Sequence, residues 1–504
     1  MANQTINTDI LVAGTGGTGL AAAYAAVTQG LNVTVIEKQA QIGGNTKISS
    51  GFFAINSREQ QQAGLHVTTK EAIAQLADYN HYLSNGALLS RIVNSSADTL
   101  AWLEQMGMEI KLNPTSKTTQ FAHRNNDYRG GSYHMYQNKD ESYERIQQTL
   151  TDAGIDFHFN TTFTDLMIHD GEVVGATATT AAGEKLTINA KAVVVATGGY
   201  GGYGGDREKV ARTMHTTNLR TLGVPNNGEG LTAMVKAGGT DIDSHALIHA
   251  AQLAKSTVTQ KTSHQHLAGF SGNPLTQLLL TPQLWVNMTG QRFANEDVVY
   301  DTVEWANAAW SQGGKYFFIV DQATLDKFTA DQNSEEVSQA GPGAATGQGD
   351  FTALAEEAVA GQTAFKGTTL AELAQNAGMD PDTFKQTVTS YNQAVTTKND
   401  TEFSKRSQSL AYSIVDGPFY AFVSQAAYLG TVGGVRVDRN LAVLDDHFKP
   451  IPGLYTGGAN AGGYYEGHSY PAFEGLASGF TWTSGRIAGT SAAVYTKAKL
   501  AATH

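Results

Sequence analysis

Cysteine is absent from the 504-residue chain. That absence excludes disulfides, thiolate nucleophiles, Cys-ligated iron–sulfur clusters and C-x-x-C-H haem attachment. No apolar run approaches the roughly 18 residues of a membrane-spanning helix, so no membrane association is expected. Positive charge is in short supply: 34 Lys and Arg stand against 46 Asp and Glu, a formal net charge of −12. With no basic cluster, nucleic-acid binding is not expected. The start, Met1-Ala2-Asn3-Gln4-Thr5, has neither a basic nor an apolar signal region, so no signal peptide is expected and the cytoplasm is the expected compartment. There is no internal repeat, and no metal site is expected.

Glycine is abundant instead. The 54 glycines exceed the usual share of about 7%, which suits a chain with many nucleotide-contacting turns. The length allows two or three domains. The first forty residues organise the rest. Asp9 to Ala13 reads as a buried strand running into Gly14-Thr15-Gly16-Gly17-Thr18-Gly19, a G-x-G-x-x-G. An Ala-rich helix to Thr28 follows, closed by Gly30, and then a second strand, Leu31 to Ile36, ends at Glu37. Strand, glycines, helix, strand and terminal acid have the spacing of a dinucleotide-binding unit. Gly14 permits the tight turn, Gly16 lets backbone approach a pyrophosphate, and Gly19 allows close helix–strand packing. The helix N-terminus offers N–H groups and partial positive charge to the phosphates. Glu37 is placed to accept a hydrogen bond from a ribose hydroxyl.

The residues after Glu37 select the dinucleotide. Lys38 leads to Ile42-Gly43-Gly44-Asn45-Thr46, and then Ser49-Ser50-Gly51. This resembles the FAD fingerprint of the fumarate reductase/succinate dehydrogenase flavoprotein family. Two further phrases extend the resemblance over nearly the whole chain: Val193-Val194-Val195-Ala196-Thr197-Gly198-Gly199, and Pro452-Gly453-Leu454-Tyr455-Thr456-Gly457-Gly458. Asn227-Gly228-Glu229-Gly230 matches a family turn near the flavin. Leu284-Trp285-Val286-Asn287 with Arg292-Phe293-Ala294-Asn295-Glu296 resembles the family's capping-domain phrase. The membrane-bound members hold FAD through a histidine in the segment after the acid. None stands there, so non-covalent FAD is expected.

The resemblance implies an α/β fold: a Rossmann-like doubly wound FAD-binding domain, discontinuous over 1–243 and 430–504, with an inserted α+β capping domain at 244–429. It carries FAD contacts to Gly14, Gly16, Gly17, Thr18, Gly19, Glu37, Lys38, Gly43, Gly44, Asn45, Thr46, Ser50, Gly51, Thr197, Gly198, Gly199, Asn227, Glu229, Gly458 and Asn460. It adds Gly475, Leu476 and Ala477, at the start of a last helix whose N-terminus faces the flavin pyrimidine in the family. From residue pattern alone, helices are expected over 70–110 (stopped by Gly107) and 140–152, hairpins at Asp170-Gly171 and Ala182-Gly183, and a helix start at Asp380-Pro381. Ser334 to Asp350 reads as an exposed loop, and His123 to Gly131 as a polar glycine-rich stretch.

The cations that grip a dicarboxylate in fumarate reductases are missing. Counting from Asn295 places Tyr300 where those enzymes carry the proton-donating arginine. Asn273 to Leu280 offers neither Glu nor Arg, and Tyr470-Pro471-Ala472-Phe473-Glu474 has no arginine. His249 reads as a structural residue. An unpaired buried dicarboxylate costs several kcal/mol per charge, which argues against fumarate or succinate. The tyrosines are similar to those of the 3-ketosteroid 1-dehydrogenases: Tyr300, Tyr470 in a "SYP" phrase, and Tyr128 in an Asp-Tyr loop. That branch's glycine after the C-terminal tyrosine is displaced to Gly475. An FAD-only chain with this set also resembles the vinylphenol reductases of lactic acid bacteria. This would imply reduction of 4-vinylphenol to 4-ethylphenol, with NADH as external reductant or an electron-donor flavoprotein as partner. Tyr470 would bind the phenolic oxygen, Tyr300 would protonate the terminal carbon, and reduced FAD would deliver hydride to the benzylic carbon. Tyr203, Trp305, Tyr464, Tyr465 and Phe473 are candidate apolar walls. The alternatives are a ketosteroid-type dehydrogenase, a reductase of another enoate such as cinnamate or urocanate using Arg124 or Arg129, and a flavin-binding redox sensor.

Overall fold

The computed structural model describes residues 4–113, 132–202, 205–221, 223–242, 245–253, 275, 278, 281–300, 302–330, 349–464, 473 and 475–502. Short apolar segments build the central sheet. Its order is Ala442–Leu444, Pro450–Thr456, Ala192–Val195, Ile10–Ala13, Val33–Ile36 and Asp156–His158. Neighbours run parallel except at the Ala442–Leu444 edge. The register sets Val12 beside Val35 on one side and Val194 on the other. Ile10–Ala13 and Ala192–Val195 are buried throughout, as expected for parallel strands covered on both faces.

Two helices of small residues cover one part of this sheet, Gly17–Val27 and the C-terminal Leu476–Ala502. They approach so closely that a Cβ on Gly485 would lie 2.3 Å from the Thr18 carbonyl oxygen, and one on Gly489 would lie 2.2 Å from that of Ala22. Spacing of four residues on both helices puts these positions on facing stripes. A second sheet of four strands, Gln4–Asn7, Lys185–Asn189, Glu172–Thr180 and Thr161–His169, carries both expected hairpins. Gly51–Phe53, Tyr133–Gln137 and Glu109–Leu112 form a three-stranded sheet.

The remaining sheet is built round the 14-residue strand Phe419–Val432. It pairs with Arg220–Thr221, His245–Leu253, Lys315–Asp321 and Ala364–Gly367, and Leu284–Val286 joins through Lys315–Asp321. The division proposed at 429/430 therefore runs through a strand shared by both halves. The 70–110 region forms two helices, Thr69–Tyr79 and Gly86–Met106, and Gly107 ends the second at φ 114°. Lys139–Asp152 is helical, and Asp380 accepts from the Thr383 N–H ahead of Pro381–Thr397. The expected loops at 123–131 and 334–348 lie outside the described residues.

Candidate active site

Four parallel strands deliver the site. Ile10–Ala13, Val33–Ile36, Ala192–Val195 and Pro450–Thr456 end at Gly14, Glu37, Ala196 and Gly457, and all four of those residues line one cavity of about 540 Å³. This is the carboxyl edge where open α/β sheets bind ligands. The glycines do what their spacing predicts. A Cβ on Gly14, at φ 105°, would fall 2.4 Å from the Ala196 carbonyl oxygen. One on Gly19 would fall 1.9 Å from the Gly14 oxygen, so helix and strand meet only because Gly19 carries no side chain. A Cβ on Gly16 would meet nothing within 4 Å. Gly16 itself lines the cavity, and that open space is what a pyrophosphate requires.

Neighbouring polar groups fix this loop. The Glu37 carboxylate accepts from the Thr15 N–H at 2.8 Å and the Thr15 hydroxyl at 2.7 Å, and its other oxygen accepts from the Gln39 N–H. Gly16 has no side chain to cap its helix. The Thr46 hydroxyl does so from 29 residues away, accepting from the Gly17 N–H at 2.8 Å and donating to the Gly43 oxygen. Asn45 ties the cavity to the shared strand: its amide donates to the Leu429 carbonyl and accepts from the Val224 N–H, both at 2.9 Å. Lys38 and Glu229 form an ion pair at 3.1 Å. The second Glu229 oxygen and the Asn226 side-chain oxygen are buried without a protein partner. Both residues line the cavity, and buried acceptors of this kind call for donors from a ligand.

Of the residues assigned from the sequence, Gly14, Gly16, Gly17, Thr18, Glu37, Lys38, Gly43, Gly44, Asn45, Thr46, Thr197, Gly198 and Glu229 line the cavity. Gly19 lies behind it as packing. Asn227 is exposed, while its neighbour Asn226 lines the wall. Asn460 donates to the Thr197 hydroxyl at 3.3 Å, and the Gly458 N–H donates to Ser484 at 2.9 Å. Gly199 packs against Thr431. Gly475 takes φ 77° and accepts from the Phe53 N–H, which seats Leu476 and Ala477 beside the Gly51–Phe53 strand that follows Ser50. The walls that the sequence did not disclose include Thr161–Phe163, Gly223–Asn226 and Thr481.

Tyr300 closes the single-turn helix Glu296–Tyr300, whose backbone alone is described for that residue. Tyr128 and Tyr470 lie outside the described residues, as do Arg124, Arg129, Tyr203 and Tyr465 and the side chain of His249. Trp305 is fully buried and donates to the Tyr316 hydroxyl at 2.8 Å, so it is a core residue rather than a pocket wall. Tyr464 stacks on Phe480 at 4.3 Å, and Phe473 packs edge-on to Phe53. Among the described residues no cluster of His, Asp or Glu is arranged to hold a metal, and no helix is long and apolar enough to cross a membrane.

The FAD binding domain model matches residues 9–470. The chain belongs to that family. It is an FAD-dependent oxidoreductase, and the strand ends, the open Gly16 face and the orphaned acceptors fit that dinucleotide. The chain is 29% identical to the vinyl phenol reductase of Lactiplantibacillus plantarum over 98% of each chain. It is 26% identical to a probable fumarate reductase of Shewanella frigidimarina, over 98% of this chain and 76% of that one. It is also 25% identical to the 3-oxosteroid 1-dehydrogenase of Mycolicibacterium smegmatis, over 92% and 93%. Among solved structures it is similar in fold to a 3-ketosteroid delta1-dehydrogenase from Sterolibacterium denitrificans, with a TM-score of 0.70 at 19% identity over 97% of this chain and 99% of that one. It is likewise similar to the open form of a flavocytochrome c3 fumarate reductase, with a TM-score of 0.67 at 24% identity over 97% and 79%.

Proposed function

We propose that this flavoprotein reduces a carbon–carbon double bond conjugated to a phenol, taking 4-vinylphenol to 4-ethylphenol. The observation that carries the reading is the end-to-end similarity to a vinyl phenol reductase, with 98% of both chains aligned. It is supported by tyrosines at positions where fumarate-type enzymes need cations. Bound and reduced, FAD supplies the hydride that the benzylic carbon accepts. The chain's own residues do the rest. Tyr470 donates a hydrogen bond to the phenolic oxygen and so orients the ring. Tyr300 gives its phenolic proton to the terminal vinyl carbon and is reprotonated from solvent. Lys38, Glu37, Thr46 and the Gly14–Gly19 loop hold the dinucleotide. NADH, or a partner flavoprotein, supplies the two electrons consumed in each turnover.

The test is turnover of 4-vinylphenol with product identification, alongside Tyr300→Phe. The variant is expected to keep its FAD and to transfer to the alkene about 10²–10⁴-fold more slowly, the usual size of a general-acid contribution. Wild-type speed in Tyr300→Phe would overturn the proton-donor assignment. Ketosteroid desaturation is the second reading, favoured by the similarity to the mycobacterial 3-oxosteroid 1-dehydrogenase, and flavin bleaching by a 3-ketosteroid under anaerobic conditions would replace the first reading with it.

A further inference from the structure

Besides the packing of Val298 and Val299 on the core, the turn that ends in Tyr300 is tied down by charged side chains. Glu296 is wholly buried. Its carboxylate accepts from Arg292 Nε at 2.8 Å and from a terminal guanidinium nitrogen at 2.7 Å, and Lys405 Nζ stands 3.3 Å away. The same guanidinium reaches Asp400 at 2.8 Å. Burial alone would raise the Asp400 carboxyl, but Arg292 and the Phe403 and Lys405 N–H groups hold it down at about 2. Lys405, fully enclosed, also donates to the Tyr391 hydroxyl at 3.1 Å and to the Pro282 carbonyl. The next acid along, Asp297, accepts from the Arg406 backbone N–H at 2.9 Å and from its Nε at 3.1 Å. Asn295 completes the join, donating to the Ser404 carbonyl at 3.2 Å and accepting from the Asp297 N–H.

Three consecutive residues before Val298 thus attach to one segment, 400–406, more than a hundred positions later in the chain. A buried ion cluster of this size is poor value as stabilisation alone, because well-packed apolar residues usually do as well or better. Its use is geometric, since charge-assisted bonds to a carboxylate fix direction as well as distance. Tyr300 lies three residues past Asp297 in a turn that rises about 2 Å per residue. A tilt at Asp297 is therefore passed directly to Tyr300.

Resting on the proposed role of Tyr300, we infer that the 400–406 segment positions the proton donor, with Asp297–Arg406 as the adjustable end of the clamp and Arg292–Glu296–Asp400–Lys405 as its fixed end. Asp297 and Arg406 are positioning residues that act through the turn. The Arg406 side chain is 35% exposed and its ion pair is with Asp297, not Glu296, so its loss is expected to spare the Arg292–Glu296–Asp400 contacts.

The experiment uses the FAD-loaded protein and compares Arg406→Met, Arg406→Lys and Asp297→Asn, each in the wild-type and the Tyr300→Phe background. The rate of reduced-flavin reoxidation by 4-vinylphenol is read with its solvent deuterium isotope effect. A misplacement of about 1 Å costs up to about 10²-fold. Arg406→Met and Asp297→Asn are therefore expected to slow reoxidation tenfold or more, raise the solvent isotope effect, and leave KM and FAD affinity within about twofold. Arg406→Lys is expected to recover part of the rate, and none of the three should slow Tyr300→Phe further. If Tyr300→Phe is slow while Arg406→Met and Asp297→Asn keep the wild-type rate and isotope effect, the inference falls and the proposed function stands. Losses of equal size in both backgrounds also overturn it, because the clamp would then act through general stability. If Tyr300→Phe is itself unimpaired, the proton-donor reading fails first.

Discussion

Gly16→Ala and Gly19→Ala add the same methyl three residues apart, and the structure assigns them opposite consequences. At Gly19 the new Cβ would sit 1.9 Å from the Gly14 oxygen, whereas real Cβ contacts stay beyond 3.0 Å. The helix must therefore move from the strand by about 1 Å, against the packing of Thr18 and Ala22 on Gly485 and Gly489. Overpacking of this kind costs about 1–3 kcal/mol or more, so Gly19→Ala apoprotein should unfold at clearly lower urea. At Gly16 the methyl meets nothing within 4 Å, and the backbone, at φ −63° and ψ 174°, suits alanine. Apoprotein stability should change by no more than about 1 kcal/mol, the loss typical of an N-cap exchange. The methyl then occupies the space left for pyrophosphate. Loss of one charge-assisted hydrogen bond, worth about 1.5–3 kcal/mol, should raise the Kd for FAD roughly 10–100-fold. The assay pairs urea unfolding of apoprotein with FAD titration by flavin fluorescence. Undiminished FAD affinity in Gly16→Ala, or unchanged urea unfolding in Gly19→Ala, would refute the reasoning.

Two further perturbations probe the surroundings of the site. Lys38→Met opens the Lys38–Glu229 pair, which is four-fifths buried. FAD should leave about two to five times faster at low salt, from the roughly 0.5–1 kcal/mol of such a pair, and the salt dependence of release should flatten; stopped-flow FAD dissociation checks both. His134 is wholly buried, and burial pushes it down to about 4. Its Nδ1 faces the Ser132 carbonyl at 3.2 Å and must donate, so Nε2 accepts from the Ser57 hydroxyl at 2.8 Å, which in turn caps the Arg58–Gln62 helix. The unfolded chain takes up this proton first, so stability is intact above pH 6.5 and falls by about 3 kcal/mol as pH drops towards 4. Urea unfolding across that range should show the slope, and His134→Gln should lose it.

Local rules made the dinucleotide unit legible. The turn, the approach space and the close packing at Gly14, Gly16 and Gly19 each follow from a missing Cβ, and Glu37 follows from its place at a strand end. The helix start at Asp380-Pro381 and both hairpin turns were equally readable. Long-range contacts were not. Nothing near Gly17 announces that its N–H is taken by the Thr46 hydroxyl, or that Asn45 reaches Leu429 and Val224. Gly223–Asn226 and Thr481 enter the cavity through tertiary crossing, with no spacing to mark them. Trp305 has the composition of a pocket wall, yet its indole finds Tyr316 inside the core. The clamp on Glu296 and Asp297 depends on partners at 400–406 that belong to no sequence phrase.

The central claim is that the reduced flavin of this chain delivers its electrons to a neutral phenolic alkene. The direct measurement reduces the FAD-loaded protein anaerobically with dithionite, adds 4-vinylphenol or fumarate separately, and follows return of the oxidised-flavin band. Rapid reoxidation by 4-vinylphenol with none by fumarate is predicted. Reoxidation by fumarate alone would contradict the account and require a cationic carboxylate site in place of the tyrosines.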